Sequence, residues 1–424
     1  MTAASARAWR RLSQREDVAL AAACAGPDDR VRAVGGAVRD AFLGRTGGDL
    51  DLSVRPGRAA AFAGRLAARA GTRVVDVGAT PRRILKVPFR GREIDVWEEE
   101  GGPDADLLRR DFTVNAIAFE LPGGVLVAAP GALEDLRKRA LRPPRPGVFL
   151  EDPLRVLRAA RFLAQLPGFR VARGAEGEIR RAGRFLRKVA EERRLVELDK
   201  LLAAAPKDRH RALRFLERVG VLQTLIRSSA PRTRRGISLV RRLESSDPRV
   251  ARALLLLPQG PKKAEHLLRT WKSSREELRL ASRLFSLSRG TAGAGGRRAA
   301  RSATRHPHTR RDVAELLRRS SPFEEESLLF LRAAGDAGTR VLAEAAEKIR
   351  RRPAALRRIL KPSRPLPLEE IRSALSLAEG PELGEALGAL DLALAAGEIR
   401  GVRAARRWLA ARAGSGKRPP RLVP

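Results

Sequence analysis

The chain has 424 residues, more than one typical core and enough for two to four domains. Hydrophobic residues make up 43% and charged residues 32%, so a folded core is feasible; Cys24, the only cysteine, excludes an intrachain disulfide. Lys and Arg outnumber Asp and Glu by 86 to 49, and the formal net charge of +37 draws polyanions, nucleic acid first among them. An abundance of Arg and Ala is also what a GC-rich genome imposes, so the charge alone does not settle the partner. The N-terminus MTAASARAWRRLSQRED carries no apolar core of signal-peptide length, and no stretch reaches the ~18 apolar residues of a membrane span. A reducing, cytoplasmic setting and no membrane partner are expected. His210, His266, His306 and His308 are scattered without zinc-ligand spacing, and the last two read as part of a surface loop.

The first third alternates short apolar runs with helical stretches. Val31–Val34 reads as a strand, followed by glycines and a helix over Ala37–Leu43 that Gly44 stops. Leu50–Val54 is a second strand and Arg58–Arg69 an Ala-rich helix. Arg73–Val77, Ile84–Phe89, Glu93–Trp97, Thr113–Glu120 and Val125–Ala128 are further strand candidates. After a Pro-rich hinge at Arg142–Gly147, three- and four-residue apolar spacing predicts helices over Leu154–Gln165, Glu176–Val189, Arg193–Ala204 and Asp208–Val219. Ser288–Gly296 reads as a linker, Pro362–Pro367 as a boundary, Leu368–Ala411 as a final helical module, and Gly414–Pro424 as a disordered basic tail. The pattern is α+β, a mixed sheet with helices followed by an all-α remainder.

Chemistry concentrates in the first 160 residues. Gly35 and Gly36 precede a helix start, where free N–H groups and close backbone approach suit an anion, and Arg39 adds charge within the first turn. Asp49 and Asp51 stand two apart on a strand and so face one side. Paired carboxylates repel, and a divalent cation relieves this; their oxygens suit Mg²⁺, and a two-metal site would activate a hydroxyl and stabilise leaving pyrophosphate. Glu93 and Asp95 share a strand face, and either can supply a third carboxylate or simply form a solvated acidic edge. Arg109 and Arg110 suit phosphates, and Asn115 offers a donor and an acceptor to a sugar hydroxyl; a solvated Arg pair at a strand start fits equally. Asp152 and Arg155, three apart at a helix start, pair an acceptor with a donor fork that complements cytosine and adenine but not uracil or guanine.

Five ordered segments then carry a resemblance. They are Gly35-Gly36-Ala37-Val38-Arg39-Asp40 with Leu43-Gly44-Arg45, Asp49-Leu50-Asp51, Arg109–Ala116, Glu151–Phe162, and Glu192-Arg193 with Glu197-Leu198. Together they resemble the bacterial-type (class II) tRNA nucleotidyltransferase and poly(A) polymerase family. Gly380–Gly384 and Gly397–Ile399 add a weaker likeness to the family's C-terminal helices. The resemblance implies a catalytic head at 29–145 after a helical extension at 1–28. It implies a neck at 146–230 that recognises bases and binds RNA, a body at 231–360 and a tail at 361–413, with residues 414–424 beyond. It implies ATP and CTP as substrates, an RNA 3′ end as partner, Mg²⁺ as cofactor, and Asp49 and Asp51 as its ligands. Glu93 is the better match for the third acid, Arg109, Arg110 and Asn115 belong near triphosphate and ribose, and Arg158 joins Asp152 and Arg155 at the base. The chain departs from the family at Ala128-Ala129 with Gly131-Ala132, where Asp-Pro precedes a turn, and at Glu98, where an Arg is common.

The expected activity is addition of C and A to tRNA 3′ ends. Poly(A) polymerase, A-only or CC-only enzymes share all five segments, and a catalytically silent RNA-binding protein is the alternative of another class. Oligomeric state is not readable from the sequence.

Overall fold

The computed structural model describes residues 2–78, 83–292 and 309–413. His306, His308, the tail at 414–424 and the end of the Ser288–Gly296 linker lie outside these. Packing divides the chain into two compact units, 1–198 with 218–225, and 199–217 with 226–424.

The first unit is built on seven strands: β1 (Arg32–Val34), β2 (Leu50–Val54), β3 (Val75–Val77), β4 (Ile84–Phe89), β5 (Arg92–Glu98), β6 (Ile117–Glu120) and β7 (Leu126–Ala128). Their order is β3-β4-β5-β2-β1-β6-β7. Every pairing in this sheet is antiparallel except β2 with β5, which sets Asp51 opposite Asp95 and Leu52 opposite Val96. The side-chain period of two then sorts the faces. Leu50, Leu52, Val54, Ile94 and Val96 are all buried, while Asp51, Asp95 and Trp97 turn to the opposite side.

Helices α1 (Ala3–Ser13), α2 (Glu16–Cys24), α3 (Gly36–Phe42) and α4 (Ala59–Ala70) complete this core. Phe62 and Leu66 of α4 are fully buried. Trp9 of α1 and Phe42 of α3 both pack on Phe119 of β6, with ring centroids 5.4 and 5.9 Å away. Short helices α5 (Pro103–Leu108), α6 (Ala132–Lys138) and α7 (Val148–Glu151) lead to α8 (Leu154–Gln165), α9 (Ala175–Gly183) and α10 (Glu191–Leu202).

Three expectations change. Thr113–Glu120 is not one strand: Thr113–Asn115 is a 3₁₀ turn and only Ile117–Glu120 pairs. The Asn115 amide reaches back to Asp111 and the Thr113 hydroxyl bonds Asp135, and these side-chain bonds curl the backbone away from the ladder. Glu176–Val189 is α9, ending at Gly183, followed by a separate 3₁₀ turn at Leu186–Lys188. At Gly183 a β-carbon would lie 2.5 Å from Val221, so the chain there is held by a close approach. The linker expected from Ser288 begins inside a helix that runs through Ala292.

After α11 (Pro206–Arg218) of the second unit, α12 (Val221–Ile226) belongs to the first unit up to Leu225; the rest of the second unit is helical, with α13 (Ala230–Arg241), α14 (Pro248–Leu256), α15 (Pro261–Thr270), α16 (Arg275–Ala292), α17 (Arg310–Ser320), α18 (Glu324–Ala334), α19 (Ala337–Arg350), α20 (Pro353–Leu360), α21 (Leu368–Leu375), α22 (Pro381–Ala396) and α23 (Gly401–Ala413) among the described residues. Buried arginines replace aromatics as large interior groups. Arg252 sits between Asp199 at 2.9 Å and Glu277 at 2.5 Å, and Arg209 donates to the carbonyls of Leu202, Leu243 and Ser245. The last three helices enclose a small core of Ile371, Leu390, Ile399 and Leu409. No helix among the described residues is long and apolar enough to cross a membrane.

Helix α13 crosses α14 at Gly236, where a β-carbon would meet the Leu255 carbonyl oxygen at 2.3 Å. Gly236→Ala should therefore destabilise by about 1–3 kcal/mol through overpacking. Gly64→Ala, on the open face of α4, should stabilise by about 0.5–1 kcal/mol, because the new methyl has nothing within 4 Å and the unfolded chain loses backbone entropy. Thermal midpoints should move in opposite directions.

Candidate active site

Asp49 lies just before β2 and Asp51 within it, so the two share a face. Asp49 is exposed, and its Oδ1 accepts the Glu93 backbone N–H at 3.1 Å. Asp51 is the more enclosed. Burial pushes its carboxyl up to about 6, opposed by Arg110 and Arg158 and reinforced by Asp95 and Asp49. Asp95, directly across the parallel pairing, is likewise raised by burial, against the pull of Lys86.

Glu93 and Asp95 are now distinguishable. Asp95 stands beside Asp51 and lines the same cleft, whereas Glu93 is exposed near the start of β5 and takes the Lys86 ammonium at 2.5 Å. Lys86 also reaches Asp95 at 3.1 Å. Among the described residues no three His, Cys, Asp or Glu side chains form a ready metal cage. Asp49, Asp51 and Asp95 instead make an open acidic strip whose oxygens suit a hard divalent cation that draws its other ligands from water and substrate.

Gly35 explains itself at this point. Its φ is +74°, and an added β-carbon would lie 3.3 Å from Asp51 Oδ2 and 3.5 Å from Arg110 Nη1. Both the backbone conformation and the close approach require glycine. Gly36 merely opens α3, where a β-carbon would meet only the Arg39 guanidinium at 3.8 Å.

The cleft has a volume of about 1010 Å³, and its basic wall is formed by Arg109, Arg110, Arg155 and Arg158. Arg110 lies over the Trp97 ring at 5.0 Å and bonds Asp106 at 3.0 Å, which fixes it beside Asp51. Arg109 is bound by Glu100. Arg155 donates to the carbonyls of Val148 at 3.0 Å and Arg109 at 2.6 Å, tying α8 to the segment that carries the Arg pair.

Arg39 and Asn115 are behind the wall rather than on it. Both are buried, and Arg39 donates to Asn115 Oδ1 at 2.7 Å and to Asp40 at 2.9 Å. Asn115 passes the chain on, its amide donating to Asp111 Oδ1 at 2.8 Å, and Asp111 Oδ2 accepts Arg158 Nε at 2.7 Å. Burial alone would raise Asp111, but Arg158 and the Asn115 bond hold its carboxyl below the usual range; Asp111 in turn raises Arg158. Phe162 carries three guanidinia, those of Arg39, Arg158 and Arg161, within 5.7 Å of its centroid. Asp152 caps the start of α8 by accepting the Leu154 N–H at 3.1 Å and pairs with Arg193 at 3.3 Å. It does not share the cleft lining with Arg155.

Sequence reasoning assigned no role to Asp111, Trp97, Lys86 or Glu100. The spacing of Asp111 and Asn115, four apart, was the available signal for the first; the others depend on strand register and on the fold of the Glu98–Arg109 segment.

The raised carboxyl of Asp51 has a measurable sign. A folded pKa of about 6 against an ordinary 3.8 means that its contribution to stability is present in acid and lost as pH rises through 6. Without divalent metal, Asp51→Asn should therefore raise unfolding free energy at pH 8 by on the order of 1–2 kcal/mol, a gain that shrinks toward pH 4. Denaturant titrations at the two pH values read the difference.

The Poly A polymerase head domain family matches residues 31–142. The CC-adding tRNA nucleotidyltransferase of Thermus thermophilus is 34% identical over 410 residues, covering 89% of this chain and 92% of that protein. Solved structures share the fold, among them two CCA-adding enzymes. The Thermotoga maritima CCA-adding enzyme complexed with tRNA has a TM-score of 0.70 at 19% identity, over 96% of this chain and 98% of the other. The Bacillus stearothermophilus CCA-adding enzyme in complex with CTP has 0.69 at 24%, over 97% and 98%. An identity of that size to the Thermus protein, spread over nearly the full length of both, together with the matched head domain, means that the chain belongs to the tRNA nucleotidyltransferase family.

Proposed function

We propose that the protein adds C and A to tRNA 3′ ends, using CTP and ATP without a nucleic-acid template. The observation that carries this reading is one cleft in which Asp51 and Asp95 face Arg109, Arg110, Arg155 and Arg158. Acids on one wall hold cations, arginines on the other hold a triphosphate, and the Thermus relative is named for addition of C to tRNA.

Asp49 and Asp51 would hold Mg²⁺, with Asp95 rather than Glu93 as the third acid. The donor set fits: hard carboxylate oxygens, one of them enclosed with its charged form disfavoured until a cation arrives. The bound ion supplies charge neutralisation at the reacting phosphate and acidifies the attacking hydroxyl. In the reaction the acceptor 3′-oxygen bonds to the α-phosphorus, the bond from that phosphorus to the bridging oxygen of the β-phosphate breaks, and pyrophosphate leaves. Arg110, clamped between Trp97 and Asp106, binds a phosphate beside Asp51 without having to be ordered first. Arg109 binds phosphate once Glu100 releases it. Gly35 and Gly36 let the backbone come close to the nucleotide.

Arg155 and Arg158 offer donors to the base, with Asp152 as the acceptor that completes selection of C and A once Arg193 gives way. Arg39 and Asn115 act as positioning residues, through Asp111 and Arg158. The cytoplasm, where tRNA and both nucleotides reside, is the setting of this reading.

A second reading, addition of CC alone, is favoured by the activity named for the Thermus relative. Labelled CTP and ATP offered to tRNA lacking CCA, to tRNA ending in CC, and to an unrelated RNA separate the cases. Addition of both nucleotides to the first supports full CCA synthesis, CTP alone supports the CC reading, and long A tails on the unrelated RNA contradict both. The double variant Asp49→Ala, Asp51→Ala, or a chelator, should reduce incorporation by roughly 10³-fold or more. Incorporation that survives the double substitution would sink the catalytic assignment.

A further inference from the structure

A second cavity, about 620 Å³, opens on the first unit between the end of α4 and the β4–β5 hairpin, and none of the roles above uses it. It is lined by Arg69, Thr72, Phe89, Arg90, Arg92 and Glu93, among others. Three guanidinia meet one carboxylate, and that carboxylate is already taken by Lys86. Among the described residues no hydrogen bond or ion pair engages the side chain of Arg69 or Arg92, and both residues are exposed. Arg90 pairs with Glu16 of α2 and lies over Phe89 at 5.6 Å.

The hairpin turn adds a second observation. Arg90 and Gly91 both have positive φ, +48° and +75°, the geometry of a two-residue turn whose first position favours asparagine or glycine. The Arg90 guanidinium is engaged by Glu16, so the free positive charge of the cavity is that of Arg69 and Arg92. The cavity also abuts the reacting centre. Glu93 lines it, and the Glu93 backbone N–H holds Asp49.

We infer that this cavity binds phosphodiesters of the RNA acceptor strand and leads its 3′ end past Glu93 to Asp49. The inference rests on the tRNA reading above for its partner, and on the two unengaged arginines for its chemistry. Point charges on an open surface suit a repeated, sequence-independent backbone better than a single nucleotide.

The test measures binding, not catalysis. A labelled tRNA transcript lacking CCA is titrated with full-length protein, without nucleotide, over a range of NaCl concentrations. Arg69→Ala/Arg92→Ala should weaken binding by on the order of tenfold at low salt and reduce the slope of log K against log salt by about 1–2. The KM for CTP should stay as in the wild type. Arg7→Ala/Arg10→Ala, which removes the same charge from exposed positions of α1, should change binding far less. Equal losses in both double variants would mean diffuse attraction and overturn the inference, as would wild-type binding by the first. A raised KM for CTP with unaltered tRNA binding would assign the cavity to a triphosphate instead and overturn it too. A wild-type protein that binds this tRNA but incorporates nothing would defeat the catalytic reading while leaving the cavity assignment standing.

Discussion

Asp111 is the group on which the site depends. It is a carboxylate buried beneath the cleft, and each of its oxygens is claimed: Oδ1 by the amides of Phe112 and Asn115, Oδ2 by Arg158. An unpaired charge at such depth would cost several kcal/mol, so the arrangement is tolerated only when all partners are present. The partners come from three places in the chain, the turn after the Arg pair, helix α3 through Arg39, and helix α8. Arg158 and Arg161 extend the chain of charges to Glu197 of α10, at 3.7 and 3.3 Å. A single ionic network thus registers α8 and α10 against the sheet and aims one arginine of the cleft wall.

The opposite wall is held in a less comfortable state. Asp51 is raised because it is enclosed among carboxylates, with Arg110 as its nearest relief. Burial and like charge are normally removed by evolution from a stable core, and here they are concentrated where a cation would discharge them. The two walls differ in this respect: Arg158, Arg110 and Arg109 are paired through Asp111, Asp106 and Glu100, whereas on the acid side Lys86 pairs with Asp95 and the Asp51 carboxyl stays raised. Under the proposed function, a triphosphate carried in with its metal would satisfy both.

Much of this was legible in the sequence. The alternation in Leu50–Val54 placed Asp51 on a strand face, and the structure puts β2 over those same residues. Glycine before the helix was legible as close approach, although only Gly35 needs it. The choice between Glu93 and Asp95 was not legible, because both lie on one face of β5 and only the parallel register with β2 brings Asp95 to Asp51. Residue type gave no sign that Arg39 and Asn115 bond each other. An arginine and an asparagine next to glycine and arginine motifs suggest ligand contacts, but they satisfy each other across a separation that no local pattern encodes. Spacing predicts that Asp152 and Arg155 share a helical face, but Asp152 has extended backbone before α8 begins at Leu154, and its carboxylate pairs with Arg193 of α10.

Under the proposed function, Asp111 shapes nucleotide binding through Arg158 without itself lining the cleft. A double-mutant cycle of Asp111→Asn and Arg158→Gln, read by calorimetric CTP affinity in the presence of Mg²⁺, addresses this directly. Each single variant should weaken CTP binding, and the pair should cost much less than the sum, with an interaction of about 2 kcal/mol. Strictly additive losses, or an unaltered affinity in Asp111→Asn, would contradict it.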